Sequence, residues 1–175
     1  MNQCFGQSSA TEWNCEHHLP GTVRRIHDSA SDLDRVVKRT LRAWPYAKET
    51  SENQDVYLDS VALNLHGFYS GLERLFEMIA RRLDHLLPSS EVWHCELLFQ
   101  MGREIQGVRP AVISQDHADR LDEFRRFRHL VRNVYTMNLV PDRMSKLISV
   151  LPDLRSQLRA ELMVFAEFTK DLAAQ

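Results

Sequence analysis

Cysteine, glycine and proline are scarce in this chain of 175 residues, and neither charge sign dominates. The three cysteines cannot all pair, and their spacing fits no disulfide framework, which favours a reducing compartment. Six glycines and six prolines against 22 leucines disfavour a many-turned β-sandwich and favour long helices. The net charge of −2 excludes a bulk polycation, so any contact with nucleic acid depends on a local patch.

Long apolar runs are also absent. No stretch approaches the roughly 20 apolar residues of a membrane-spanning helix. The first nine residues, MNQCFGQSS, lack the basic segment and apolar core of a secretion signal. We therefore expect a cytoplasmic protein with a flexible tail over residues 1–21, which closes at Pro20-Gly21, and a single helical bundle over residues 22–175.

Apolar residues recur at steps of three and four, the spacing of one helix face, in the first half of the chain. The pattern predicts a first helix from Val23 to Trp44, ended by Pro45. It predicts a second helix from Asp55 to Pro88 with two neighbouring apolar stripes, as expected of a helix that packs on two sides.

The second half continues the pattern with three further helices. The third follows a cap at Ser89 or Ser90 and ends at Gly107. The fourth begins after Ser114 and runs to about Asn138, and the fifth begins at Pro141, with Pro152 expected to kink it or split off its first turns. The predicted fold class is all-α, an antiparallel bundle of four to five helices.

The segment with the densest chemistry lies on the fourth helix. Four arginines and no acidic residue occur between positions 125 and 132. On an ideal helix one edge is apolar, and the adjoining arc of about 140° collects polar side chains. These are Arg125, Arg128, His129, Arg132 and Asn133.

This polar edge fits the needs of metal-free RNA cleavage. Attack by a 2′-hydroxyl requires cations that stabilise the phosphorane and a group of near-neutral pKa that moves protons. Arginine and histidine supply both. The alternative is a solvated face or a set of ion pairs with Asp122 and Glu123.

The same segment resembles a known family. Arg128, followed after four residues by Asn133-Val134-Tyr135, is similar to the Arg-x4-His-x-Tyr signature of HepT toxins, small helical ribonucleases of the HEPN superfamily. The segments YLDSVALNLH and FYSGLE (residues 57–66 and 68–73) also resemble a HepT-like group. The resemblance covers roughly residues 55–172 and leaves the first fifty residues unexplained.

The resemblance implies an endoribonuclease site at a homodimer interface, without metal or cofactor. Arg128 would be the catalytic cation; His129 and Asn133 as further catalytic candidates, and Arg125 and Arg132 as RNA-binding candidates, come from the polar edge of the fourth helix and not from the resemblance. It also implies a nucleotidyltransferase antitoxin of the MNT type, which would add AMP to Tyr135 and silence the toxin.

The motif histidine is replaced by Asn133, which cannot act as a general acid or base near pH 7. Three interpretations remain open. In the first, His129, one turn earlier, transfers the proton and Asn133 orients the ring of His129. In the second, cleavage is slow and depends on charge alone. In the third, the protein is a catalytically inactive module that binds RNA or protein.

Two further groups of polar residues could carry chemistry. His66, Tyr69 and Glu73 share a face of the second helix and would line the cleft or hydrogen-bond to the motif helix; the alternative is a polar edge around a buried tyrosine. Cys4, Cys15, His17 and His18 match no zinc pattern, and adjacent His94 and Cys95 point in different directions on a helix, so no metal site is expected.

Overall fold

The computed structural model describes residues 10–49, 52–133 and 141–174, with side chains from residue 19 onward except those of residues 132 and 133. Within these ranges the chain forms five α-helices and no strand, which confirms the all-α bundle. The helices are α1 (Ala10–Lys48), α2 (Gln54–Ile79), α3 (Trp93–Met101), α4 (Gln115–Asn133) and α5 (Pro141–Leu172). None of them is long and apolar enough to cross a membrane.

Helix α1 is longer at both ends than its proline residues predict. It begins at Ala10 rather than Val23 and passes through Pro20 and Pro45 to Lys48, so the predicted boundaries at both prolines are wrong. Both prolines are exposed, whereas Leu19 and Ala47 beside them are buried. Core packing therefore outweighs the loss of a backbone donor at each proline.

Helix α2 is central to the bundle and contacts α1, α3 and α4, while α5 packs against α1. Its two predicted apolar stripes are buried over most of their length, with Phe68, Leu72 and Phe76 almost completely enclosed. One contiguous apolar core joins residues of all five described helices. The broad apolar face thus reflects a helix that is covered on several sides.

The end of α2 differs from the predicted stop at Pro88. The α-helix ends at Ile79, continues as one π-helical turn over Ala80–Asp84, and stops at His85, which has a φ of 51°. Asp84 accepts two hydrogen bonds from Arg109, and both side chains are fully buried. This ion pair fixes the end of α2 to the loop that follows α3.

Helix α3 ends at Met101, before the predicted Gly107, because the chain reverses in a tight turn. Ile105 and Arg109 exchange two backbone hydrogen bonds across this turn. Gly107 has a φ of 73°, a conformation that glycine adopts without steric cost.

The start of α4 and the start of α5 are as predicted. The Ser114 hydroxyl accepts a hydrogen bond from the backbone N–H of His117, as an N-cap residue does. Pro141 is the first residue of α5, which continues through the exposed Pro152 as one helix and is not split there. The predicted extension of α4 to about Asn138 lies outside the described residues.

Candidate functional site

An open groove of about 1040 Å³ lies between α3 and α4. Its apolar lining includes Val92, Phe99 and Ile105. The α4 wall contributes Arg125, Arg126 and His129, and the carboxylates of Glu91, Glu96 and Glu104 also line the groove. A cleft with a large apolar area and converging polar groups is typical of a ligand-binding site.

Arg128 lies beside this groove and is fixed by contacts with α2. Its Nε donates to Ser70 Oγ at 3.0 Å, and its Nη1 donates to Glu73 Oε2 at 3.1 Å. The Arg128 side chain is 16% exposed and that of Glu73 is 5% exposed. The motif arginine therefore forms a largely buried ion pair rather than projecting freely into solvent.

Glu73 also binds a histidine from a third helix. His94 Nδ1, at the start of α3, lies 2.8 Å from Glu73 Oε2, the same oxygen that Arg128 contacts. His94 lines the groove that His129 lines from the opposite helix. The sequence pattern brings His94 to notice only as a neighbour of Cys95, because its partner Glu73 lies 21 residues away on another helix.

The other arginines of the groove are partly neutralised by one carboxylate. Asp122 is 7% exposed and accepts hydrogen bonds from Arg125 Nε at 2.6 Å and Arg126 Nε at 2.7 Å. Arg126 also lies 3.7 Å from Glu123. The ion pairs of the alternative interpretation of this segment are therefore present. The single Asp122 carboxylate is shared by two guanidinium groups.

Tyr69 lies in the core beneath this cluster and is 1% exposed. Burial raises the pKa of its hydroxyl above the ordinary value of 10.0, and the nearby Glu73 carboxylate raises it further, against an opposing effect of Arg125 and Arg128. Tyr69 is therefore a neutral group in the folded protein and does not transfer protons near pH 7.

The remaining predicted residues fall into two groups. Half-buried His66 and buried Tyr69 do not line the groove, whereas Glu73 of the same helix face hydrogen-bonds to the motif helix, as one of the two interpretations expected. The other predicted residues have side chains outside the described part of the structure. For Arg132 and Asn133 the structure describes the backbone of α4 only. The remaining ones are Tyr135, Cys4, Cys15, His17 and His18.

A second groove, of about 670 Å³, separates α4 from α5. Arg120, Arg143 and Lys146 line it, together with Glu123 and with Arg126, which also lines the first groove. Cationic side chains are therefore present in both grooves beside α4, each time with carboxylates among them. Among the described residues, no group of three or more histidine, cysteine, aspartate or glutamate side chains could hold a metal ion.

The described helices place this chain among all-α bundle proteins, with a groove beside α4 that arginine, histidine and glutamate side chains line. The family model described as HepT-like protein matches residues 60–169, more than half of the chain, and the chain therefore belongs to this family. The match includes both walls of the groove and leaves α1 outside it. No curated protein and no solved structure matches the chain.

Proposed function

We propose that this HepT-like protein is a toxin component that cleaves RNA without a metal ion at the groove between α3 and α4. The observation that carries the proposal is the convergence of His129, Arg125 and Arg126 on one wall of an open groove, with Arg128 directly beside it. Metal-free phosphodiester cleavage needs a group that moves protons near neutral pH and cations that stabilise the phosphorane, and imidazole and guanidinium groups can supply both. The substrate is RNA rather than DNA because the attacking group is the 2′-hydroxyl.

Each side chain has a role in this proposal. Arg128 stabilises the negative charge of the phosphorane, and Arg125 and Arg132 bind the flanking phosphates. His129 transfers the proton that the motif histidine would otherwise move, and Asn133 orients its ring. The cations of the second groove, Arg143 and Lys146 among them, extend the contact along the RNA backbone.

The proposed active form is a homodimer. Arg128 and Asn133 are five residues apart, which places them about 140° apart around an ideal helix. They converge on one phosphate when the α4 helices of two copies face each other. Light scattering of the purified protein tests this part of the proposal, and a strictly monomeric protein with full cleavage activity would overturn it.

The proposed partner in the cytoplasm is a nucleotidyltransferase antitoxin of the MNT type, which transfers AMP from ATP to the Tyr135 hydroxyl with release of pyrophosphate. Co-expression with such an enzyme is expected to restore growth and to add the mass of one AMP group to the intact chain. Replacement of Tyr135 by Phe is expected to abolish both effects. A modified Tyr135→Phe chain would show that the enzyme acts on another residue.

The cleavage assay uses purified protein, a random-sequence pool of single-stranded RNA and a chelator. Wild-type protein is expected to release products with 2′,3′-cyclic phosphate and 5′-hydroxyl ends. His129→Ala is expected to slow cleavage more than Asn133→Ala does. Cleavage that survives the first change and not the second would remove His129 from the proton transfer.

A second candidate function, a non-catalytic module that binds RNA or protein, is favoured by one observation. The Arg128 guanidinium is bonded to the buried Glu73 carboxylate within the chain, as expected of a structural ion pair. This candidate predicts RNA or partner binding without product release in the same assay. Intact RNA together with measurable binding would select it over the ribonuclease.

A further inference from the structure

His94 has the geometry of a proton-transfer group at the α3–α4 groove. Its side chain is 25% exposed and lines the groove, while its Nδ1 contacts the buried Glu73 carboxylate at 2.8 Å. One nitrogen of the ring is thus bonded inside the protein, and the ring itself forms part of the groove surface.

The carboxylate contact determines how the ring is protonated. A carboxylate oxygen accepts hydrogen bonds, so Nδ1 carries the hydrogen, and in the neutral ring Nε2 then has the lone pair. An imidazole oriented in this way by a buried carboxylate is prepared to act as a general base.

From this geometry we infer that His94 is the general base of RNA cleavage at the groove and that Glu73 is its positioning residue. This role rests on the proposed ribonuclease function and supplies the base that Asn133 cannot be. The observation that supports this role is a pair of imidazoles, His94 on α3 and His129 on α4, which line one groove from its two walls. Two imidazoles suffice for a cleavage that needs one base and one acid.

The reaction balances with these two groups. Nε2 of neutral His94 takes the proton of the 2′-hydroxyl as the bond between O2′ and phosphorus forms. Protonated His129 gives its proton to O5′ as the bond between phosphorus and O5′ breaks. The products are a 2′,3′-cyclic phosphate and a 5′-hydroxyl, and proton exchange with water restores both rings.

His94→Asn is the variant that separates catalysis from folding. The asparagine amide retains an N–H donor near the position of Nδ1, and so a partner for Glu73, but it cannot transfer a proton. Its matched control is His27→Asn, which changes an exposed histidine on α1 away from the groove. Cleavage of the single-stranded RNA pool is measured under single-turnover conditions, and binding is measured with the 2′-O-methylated pool.

Wild-type and His27→Asn proteins are expected to cleave at the same rate, and His94→Asn about 100-fold or more slowly, with unchanged binding. Free imidazole is expected to restore part of the activity of His94→Ala, which a merely structural role would not produce. If wild-type protein cleaves RNA and His94→Asn cleaves it at the same rate, the role of His94 is overturned and the proposed ribonuclease function is not. Loss of RNA binding in His94→Asn would assign His94 to substrate binding instead of proton transfer. Absence of cleavage by wild-type protein would overturn both the proposed function and the role of His94.

Discussion

Arg128 of α4 and Glu73 of α2 form an ion pair, 3.1 Å long, beneath the α3–α4 groove. The same Glu73 oxygen lies 2.8 Å from His94 of α3, so one buried carboxylate joins three helices. The carboxylate therefore has two consequences that can be measured separately. It stabilises the packing of α2 against α3 and α4, and it fixes the position of two side chains at the groove.

Replacement of Glu73 by Ala is expected to lower the free energy of unfolding by about 3 kcal/mol, because it leaves the Arg128 guanidinium largely buried without its carboxylate. Urea unfolding monitored by circular dichroism measures this loss. The control is Glu77→Ala, one turn later on α2, which removes a partly exposed ion pair with Arg81 at 3.8 Å and is expected to cost less than about 1 kcal/mol. If the two variants lose the same free energy of unfolding, the Glu73 ion pair stabilises the fold no more than a partly exposed ion pair does.

The sequence predicted the helices better than their ends. The spacing of apolar residues identifies a helix face, and Ser114 and Pro141 act locally, so these features follow from short segments. The helix boundaries at Pro20 and Pro45 were wrong because burial of Leu19 and Ala47 depends on helices that are distant in sequence. Local patterns do not contain that information.

For the candidate site, sequence patterns predict only which side chains of one helix lie side by side. The helical repeat brings Arg125 and His129 to one edge of α4, and both line the groove. The contacts of Arg128 with Glu73 and of His94 with Glu73 span 55 and 21 residues, and no local pattern encodes such pairs. The sequence therefore predicted the shared edge of α4 and did not predict the contacts of Glu73 with Arg128 and His94.

Asp84→Asn is expected to lower the free energy of unfolding by about 3 kcal/mol, because Arg109 would remain charged and fully buried opposite a neutral amide. Thermal and urea unfolding measure the change. Asp116→Asn is the control, since Asp116 is exposed and lies 3.8 Å from Arg120, and a change within about 0.5 kcal/mol is expected. An Asp84→Asn protein as stable as the control variant would show that the ion pair is replaceable.

The buried Tyr69 is expected to make stability fall at alkaline pH. Its pKa in the folded protein is raised above the ordinary 10.0, so above that pH the unfolded chain loses a proton that the folded chain keeps. This contribution is complete below pH 10 and is lost as the pH rises, by at most about 1.4 kcal/mol per pH unit. Urea unfolding of wild type and Tyr69→Phe between pH 9 and about 11 measures it.

Tyr69→Phe is expected to lose less stability than wild type over this range, because it has no hydroxyl to ionise in the unfolded chain. Tyr46→Phe, which changes an exposed tyrosine, is expected to follow the wild-type pH dependence. An identical alkaline slope in wild type and Tyr69→Phe would show that other groups determine the transition.

Arg128→Ala is expected to abolish RNA cleavage, but the change also leaves the buried Glu73 carboxylate without its guanidinium partner. The double variant Arg128→Ala/Glu73→Ala removes both members of the ion pair. It is expected to recover part of the stability that Arg128→Ala loses, since no unpaired buried charge remains. Because Glu73 also positions His94, the reference for cleavage is Glu73→Ala alone. If Arg128 stabilises the phosphorane, the double variant cleaves RNA more slowly than Glu73→Ala does. Equal cleavage rates in these two variants would mean that Arg128 acts only through its ion pair with Glu73, and the motif arginine would then belong to the scaffold.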